Sequence, residues 1–227
     1  KYQAQFLAHL ERSGDFSVSH ENLSGVISRF EDLPWSAKAS LYEGERRFLS
    51  DTPMVDYSPT LSSFTKAVEI CLLKVVFDRF KSVCNAKLNV SQHIEISMQN
   101  EKSQAMSLFA YLGRGQHLEL GSMAHILRLC NGRTAQKELL IGTLRNFITR
   151  DLGGDTLLDK DNVDCIALIS KDFRNPAIHS DVISQAQVEE CRQLCINVLQ
   201  SLEPCVASYT KITEKLRKDK YELQENH

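Results

Sequence analysis

Apolar residues recur along this chain at intervals of three and four, the period of helices laid against a core. The period is clearest from Thr60 to Val83. There Leu61, Phe64, Val68, Cys71, Leu72, Val75, Val76, Phe80 and Val83 form one broad apolar face. Ser58 and Thr60 stand as caps around Pro59, and Lys66 and Glu69 fall off the apolar face. Upstream, Tyr2 to Arg12 predicts a short amphipathic helix through Phe6, Leu7 and Leu10. Ser19-His20-Glu21-Asn22 precedes a second, with Leu23, Val26, Ile27 and Phe30 at helical spacing, broken by Leu33-Pro34-Trp35. Ser36 to Leu49 predicts a third, with Leu41 and Phe48 inward. Asp51 to Pro59 holds two prolines and no period, and reads as a linker.

Downstream, Leu88 to Met98 alternates weakly, as one or two short strands or an irregular insertion. Gln104 to Tyr111 predicts a short helix. Gly113-Arg114-Gly115 reads as a turn, since a lone Gly-x-Gly is not a phosphate loop. Helices follow over Gly121 to Cys130, ended by Asn131-Gly132, and over Thr134 to Arg150, closed by Gly153-Gly154. Asp161 to Phe173 predicts another, with Val163, Ile166, Ala167 and Ser170 inward. It is expected to end or kink at Asn175, which precedes Pro176. After a connection over Ser180 to Ser184, Gln185 to about Lys220 predicts a long final helix kinked or broken at Pro204. The expectation is an all-α fold: a helical extension over 1–57 and a helical domain over 58–227. Its core bundle would come from 59–84, 121–150, 160–174 and 185–210.

Composition narrows the function. In 227 residues, hydrophobic positions make up 42% and charged ones 25%, the balance of a globular chain with a real core. A net charge of −2 provides no global attraction to nucleic acid or membrane. Locally, Tyr111 to Arg150 carries Arg114, Arg128, Arg133, Lys137, Arg145 and Arg150 against Glu119 and Glu138, an excess that can line a path for a polyanion or stand as a solvated face. Seven scattered cysteines, an odd number, fit a reducing cytoplasm. Cys191 and Cys195 share one helix, but no Cys-x-x-Cys or paired His completes a zinc site, so packing is expected and no metal or cofactor. No apolar run approaches the length of a membrane span, and no signal peptide is visible. The first residue is Lys rather than Met, so further domains are expected outside this chain.

The candidate chemistry lies in Arg174-Asn175-Pro176-Ala177-Ile178-His179. With 13 Arg and 7 His in the chain, an Arg followed loosely by a His is expected about once by chance; the fixed spacing with Asn directly after the Arg lowers that to roughly 0.02. RNA carries its own nucleophile, the ribose 2′-hydroxyl. Cleavage needs a base for that proton, an acid for the leaving 5′-oxygen, and positive charge for the phosphorane. His179 can serve as base or acid, Arg174 can hold phosphoryl oxygens with two parallel hydrogen bonds, and Asn175 can orient the imidazole. The motif supplies one histidine, one short of an acid–base pair, which a two-fold dimer would complete. The alternative reading is an arginine and a capping histidine that only stabilise a turn.

The hexapeptide, set between two amphipathic helices near the C-terminal end, resembles the Arg-x4–6-His signature of the HEPN superfamily, the higher eukaryotes and prokaryotes nucleotide-binding domains. Phe64-Thr65-Lys66-Ala67-Val68-Glu69 is similar to the first core helix of several HEPN families, whose polar residue near the active site would here be Glu69. The resemblance covers Tyr57 to Tyr209. It implies a dimerising helical bundle; Lys87 to Asp155 is longer than a minimal HEPN bundle needs and is expected to be an inserted helical region. It also implies a metal-independent endoribonuclease of a bacterial toxin or anti-phage defence system. Arg174, His179, Asn175 and Glu69 would be the catalytic set. The implied partners are RNA, a second copy, and further domains or an antitoxin or sensor partner. Some HEPN members are non-catalytic, so a nucleotide-sensing or dimerisation module of a larger protein is the alternative.

Overall fold

A computed structural model of the chain describes residues 15–50, 54–87, 105–178 and 182–225. Their regular structure is helical throughout, so the fold is all-α. The expected helix at Tyr2 to Arg12 and the alternating stretch at Leu88 to Met98 lie outside the described residues. Two compact units emerge, one drawn from Lys1–Cys71 and Asp164–Gln200, the other from Leu72–Val163 and Ser201–His227. The boundary at 57/58 expected from the linker coincides with neither unit's limits.

The first unit contains α1 (Asp15–Val26), a tight turn at Phe30–Asp32, α2 (Trp35–Phe48) and α3 (Ser58–Cys71). The second predicted helix therefore starts earlier than its apolar residues suggested and stops at Val26. Leu23, Ile27, Phe30 and Leu41 are buried as expected. The α2–α3 contact is close because residue 44 is glycine: a Cβ there would stand 3.0 Å from the Phe64 ring. The end of α9 (Lys160–Leu168) continues through a wide turn, Ile169–Arg174, into α10 (Asn175–Ile178), both packed on α3. Most of α11 (Gln185–Ser201) completes the unit. It is pinned to α2 by a bidentate ion pair: Arg192 Nε and Nη2 donate to Glu45 at 2.7 and 2.8 Å, and Glu45 is 1% exposed.

The second unit opens on a wide turn, Leu72–Phe77, and α4 (Asp78–Lys87), where the Thr60–Val83 period changes pitch. In such π-helical turns hydrogen bonds reach back five residues. Tyr111 of α5 (Met106–Arg114) donates to Asp78 at 2.5 Å, and Lys81 Nζ donates to the Tyr111 carbonyl at 3.0 Å. Then come α6 (Leu120–Asn131), α7 (Thr134–Lys137), α8 (Leu139–Asn146) with a wide turn at Phe147–Asp151, and a tight turn at Thr156–Leu158. The single helix expected from Thr134 to Arg150 is broken at Glu138, which is extended (φ −103°, ψ 114°). There α7 folds back on α8 so closely that the Ala135 carbonyl oxygen lies 2.6 Å from where a Cβ on Gly142 would stand. The final predicted helix is likewise two: α11 ends at Ser201 and α12 (Glu203–Glu225) begins with Pro204 as its second residue, where no N–H is needed.

All seven cysteines are free and six are buried; Cys165 is partly exposed. Cys191 and Cys195 pack with sulfurs 3.9 Å apart. Burial pushes the Cys130 and Cys205 thiols up to about 12, the behaviour of core-filling side chains. Among the described residues no group of His, Cys, Asp and Glu can hold a metal ion, and no helix is long and apolar enough to cross a membrane.

Candidate functional site

In the first unit, α3 is the rail on which the candidate residues are mounted. Its apolar face goes into the core through Leu61, Phe64 and Val68, which turns Glu69 to the margin of that face. Across from it, the wide turn Ile169–Arg174 buries Ile169, Ser170 and Phe173 and leaves Arg174 at the rim. The two meet: Arg174 Nη2 lies 2.9 Å from Glu69 Oε2, with the side chains 19% and 13% exposed.

Asn175 is exposed and opens α10 with helical dihedrals, φ −64° and ψ −49°. The helix therefore does not end at this residue: the chain stays helical through Ile178. The wide turn explains it. Asn175 N–H donates to the Ser170 carbonyl, five residues back, so the regular four-residue register is already lost when Pro176 arrives. The clash between a proline ring and the carbonyl four residues earlier belongs to that register. The structure brings Glu69, Arg174 and Asn175 into one region; His179 lies outside the described residues.

A residue missed in the sequence brackets the motif on its other side. Asp56 Oδ1 accepts from Ser58 Oγ at 2.6 Å, from Ser58 N at 2.9 Å and from Ile183 N at 3.1 Å. Tyr57 N donates in turn to the Ile183 carbonyl at 3.0 Å. The Ser58 hydroxyl bond and the two backbone bonds hold the Asp56 carboxyl below the usual carboxylate range. The helix start is thus capped from Asp56, whereas Ser58 is the first helical residue and Thr60 is buried within the first turn. Asp-x-Ser-Pro ahead of an apolar period was the available signal. The segment running from Arg174 to Ile183 is consequently tied to the α3 strand of chain at both ends: at Glu69 and at Asp56–Tyr57.

Two exposed cations flank the ion pair along the helices, Lys66 one turn before Glu69 and Lys171 one turn before Arg174. The arrangement therefore joins a half-buried guanidinium, a carboxylate that orients it and an exposed amide, with Lys66 on one margin and, on the other, Lys171 4.0 Å from the exposed Asp172. It suits an anionic group with oxygens to present to Arg174 and Asn175. A surface groove of about 550 Å³ in the same unit, lined by residues such as Phe48, Glu189 and Arg192, includes none of these side chains. No protein-family model matches the chain, and no curated protein or solved structure matches it either.

Proposed function

We propose that the chain is a metal-independent endoribonuclease of HEPN type, acting in a bacterial toxin or anti-phage defence system. The observation that carries the reading is the 2.9 Å pairing of Glu69 with Arg174, residues distant in sequence that the HEPN resemblance assigns to one site. Arg174 holds the phosphoryl oxygens and neutralises the charge that builds on the phosphorane. Glu69 holds the guanidinium in place as a positioning residue. His179 transfers the proton of the 2′-hydroxyl or of the leaving 5′-oxygen, and the second histidine comes from a second copy of the chain. Asn175 orients the imidazole or the phosphate. The products are a 2′,3′-cyclic phosphate and a 5′-hydroxyl, and DNA, which lacks the nucleophile, is not cut.

Incubation of the purified chain with mixed RNA in the presence of a chelator tests this. Internal cleavage with those ends, lost in His179→Ala and Arg174→Ala, is the expected result. Wild-type rates in both variants, or a fully active monomer in sedimentation at tens of micromolar, would overturn it. A second reading is a non-catalytic nucleotide-sensing or dimerisation module. What favours it is that Arg174 already has a carboxylate partner at low exposure. An inert wild type that still dimerises or binds nucleotide is its signature.

A further inference from the structure

The second unit carries a charge distribution that the motif does not use. Between Leu120 and Arg150 stand five cations, Arg128, Arg133, Lys137, Arg145 and Arg150, and one carboxylate, Glu138. This stretch is +4 in a chain of −2, and exposed Glu119 and Asp151 at its two ends bring the span 119–151 to +2. All five cations are exposed, and Glu138 is only partly so. Arg128, Lys137 and Arg145 ride on α6, α7 and α8, which pack one on the next with the α7–α8 approach tightened at Gly142; Arg133 stands on the turn before α7 and Arg150 in the wide turn after α8. Exposed amides are interleaved with them at Gln136 and Asn146, while that of Asn131 donates to the Leu158 carbonyl. Tyr111 and Phe147 are buried, and the exposed ring among the cations is His125 on α6.

From this we infer that the α6–α8 face of the second unit is a docking surface for the phosphate backbone of RNA. Guanidinium and amide groups suit phosphate and sugar oxygens. One exposed imidazole, His125, is all the stacking surface this stretch offers, so the face holds the phosphate backbone rather than reading bases. The choice of RNA among polyanions rests on the ribonuclease reading; the surface itself rests on charge and exposure alone. Sequence-independent phosphate contacts release counterions, which sets a measurable salt dependence.

The test uses the full chain and a fluorescent single-stranded RNA of about 20 nucleotides, a length taken to cover several phosphate contacts, with affinity followed by anisotropy across a potassium chloride series. The variant Arg128→Glu/Arg133→Glu/Lys137→Glu is compared with wild type and with Lys211→Glu, an exposed cation on α12. The expected result is at least about a tenfold loss of affinity and a log–log salt slope shallower by about 2, at roughly 0.7 per lost contact. Lys211→Glu should match wild type. Milder Arg→Gln and Lys→Gln changes at the same three positions give an intermediate loss, which guards against misfolding of the triple reversal. Unchanged affinity and slope in both triple variants overturn the inference, even if the wild type cleaves RNA. So does equal competition by polyglutamate or anionic phospholipid vesicles, which would make the face a general anion surface. Tight, salt-dependent RNA binding by a wild type that never cuts would sustain the surface and refute the ribonuclease reading.

Discussion

Replacing Glu69 by Gln removes the charge opposite Arg174 with almost no change in volume. At 2.9 Å between nitrogen and oxygen, and about 4 Å between charge centres, the attraction is about 4 kcal/mol gross at an effective dielectric near 20. Desolvation and the ordering of two side chains offset much of it. Exposed pairs contribute about 0.2–1 kcal/mol, and breaking buried ones costs about 3–5 kcal/mol. Exposures of 13% and 19% place this pair between those limits, so a loss of about 2 kcal/mol is expected. For a chain of this length that lowers Tm by about 4–8 °C. Urea unfolding followed by circular dichroism, on Glu69→Gln, Arg174→Gln and the double variant, should return a coupling energy of about 1–2 kcal/mol. Cleavage measured well below each Tm separates catalysis from stability. Arg174→Ala should lose on the order of 10²–10³ in rate, and Glu69→Gln less, because it acts through the arginine. A coupling below about 0.3 kcal/mol would refute the pairing. Equal Tm losses in the single variants with wild-type cleavage would make the pair purely structural.

His179→Ala should reduce RNA cleavage on the order of 10²–10⁴ without shifting the urea midpoint, since it removes a proton carrier. Glu45→Gln should cost about 3 kcal/mol in urea unfolding, because the Arg192 guanidinium stays largely buried without its carboxylate; Glu45→Leu/Arg192→Met together should be near neutral or stabilising. Gly142→Ala should lower Tm despite a helix-propensity gain of about 1 kcal/mol, because the Cβ would stand 2.6 Å from a backbone oxygen that cannot rotate away. Asp56 has a folded pKa below its ordinary 3.8, so its contribution is fully present above that value and lost as pH falls through the lowered one. Asp56→Asn should therefore flatten the fall of stability below about pH 4 in acid titration by circular dichroism.

What the hydrophobic pattern discloses is local, and the parts of this fold that escaped it are those decided by a second segment. The period of three and four located nearly every described helix, because burying one face demands it whatever the face meets. It did not reveal the break at Glu138, which depends on Ala135 approaching Gly142 from the neighbouring helix. Nor did it reveal the wide turns, since apolar residues continue at intervals of three and four through Leu72, Val75, Val76 and Phe80 and leave no mark of the changed register. The site divides in the same way. Arg174, Asn175 and His179 lie within one hexapeptide and could be found by their chemistry, whereas Glu69 was reached only through the family resemblance and Asp56 not at all. Both missed or weakly signalled residues act on partners far along the chain, and both belong to one short stretch, Asp56 to Glu69. If the motif is a catalytic one, its precision depends on that stretch more than on the hexapeptide. Arg174 is oriented at one end of α3 and Ile183 is fastened at the other, so a change that tilts α3 should disturb the motif while leaving every motif residue in place.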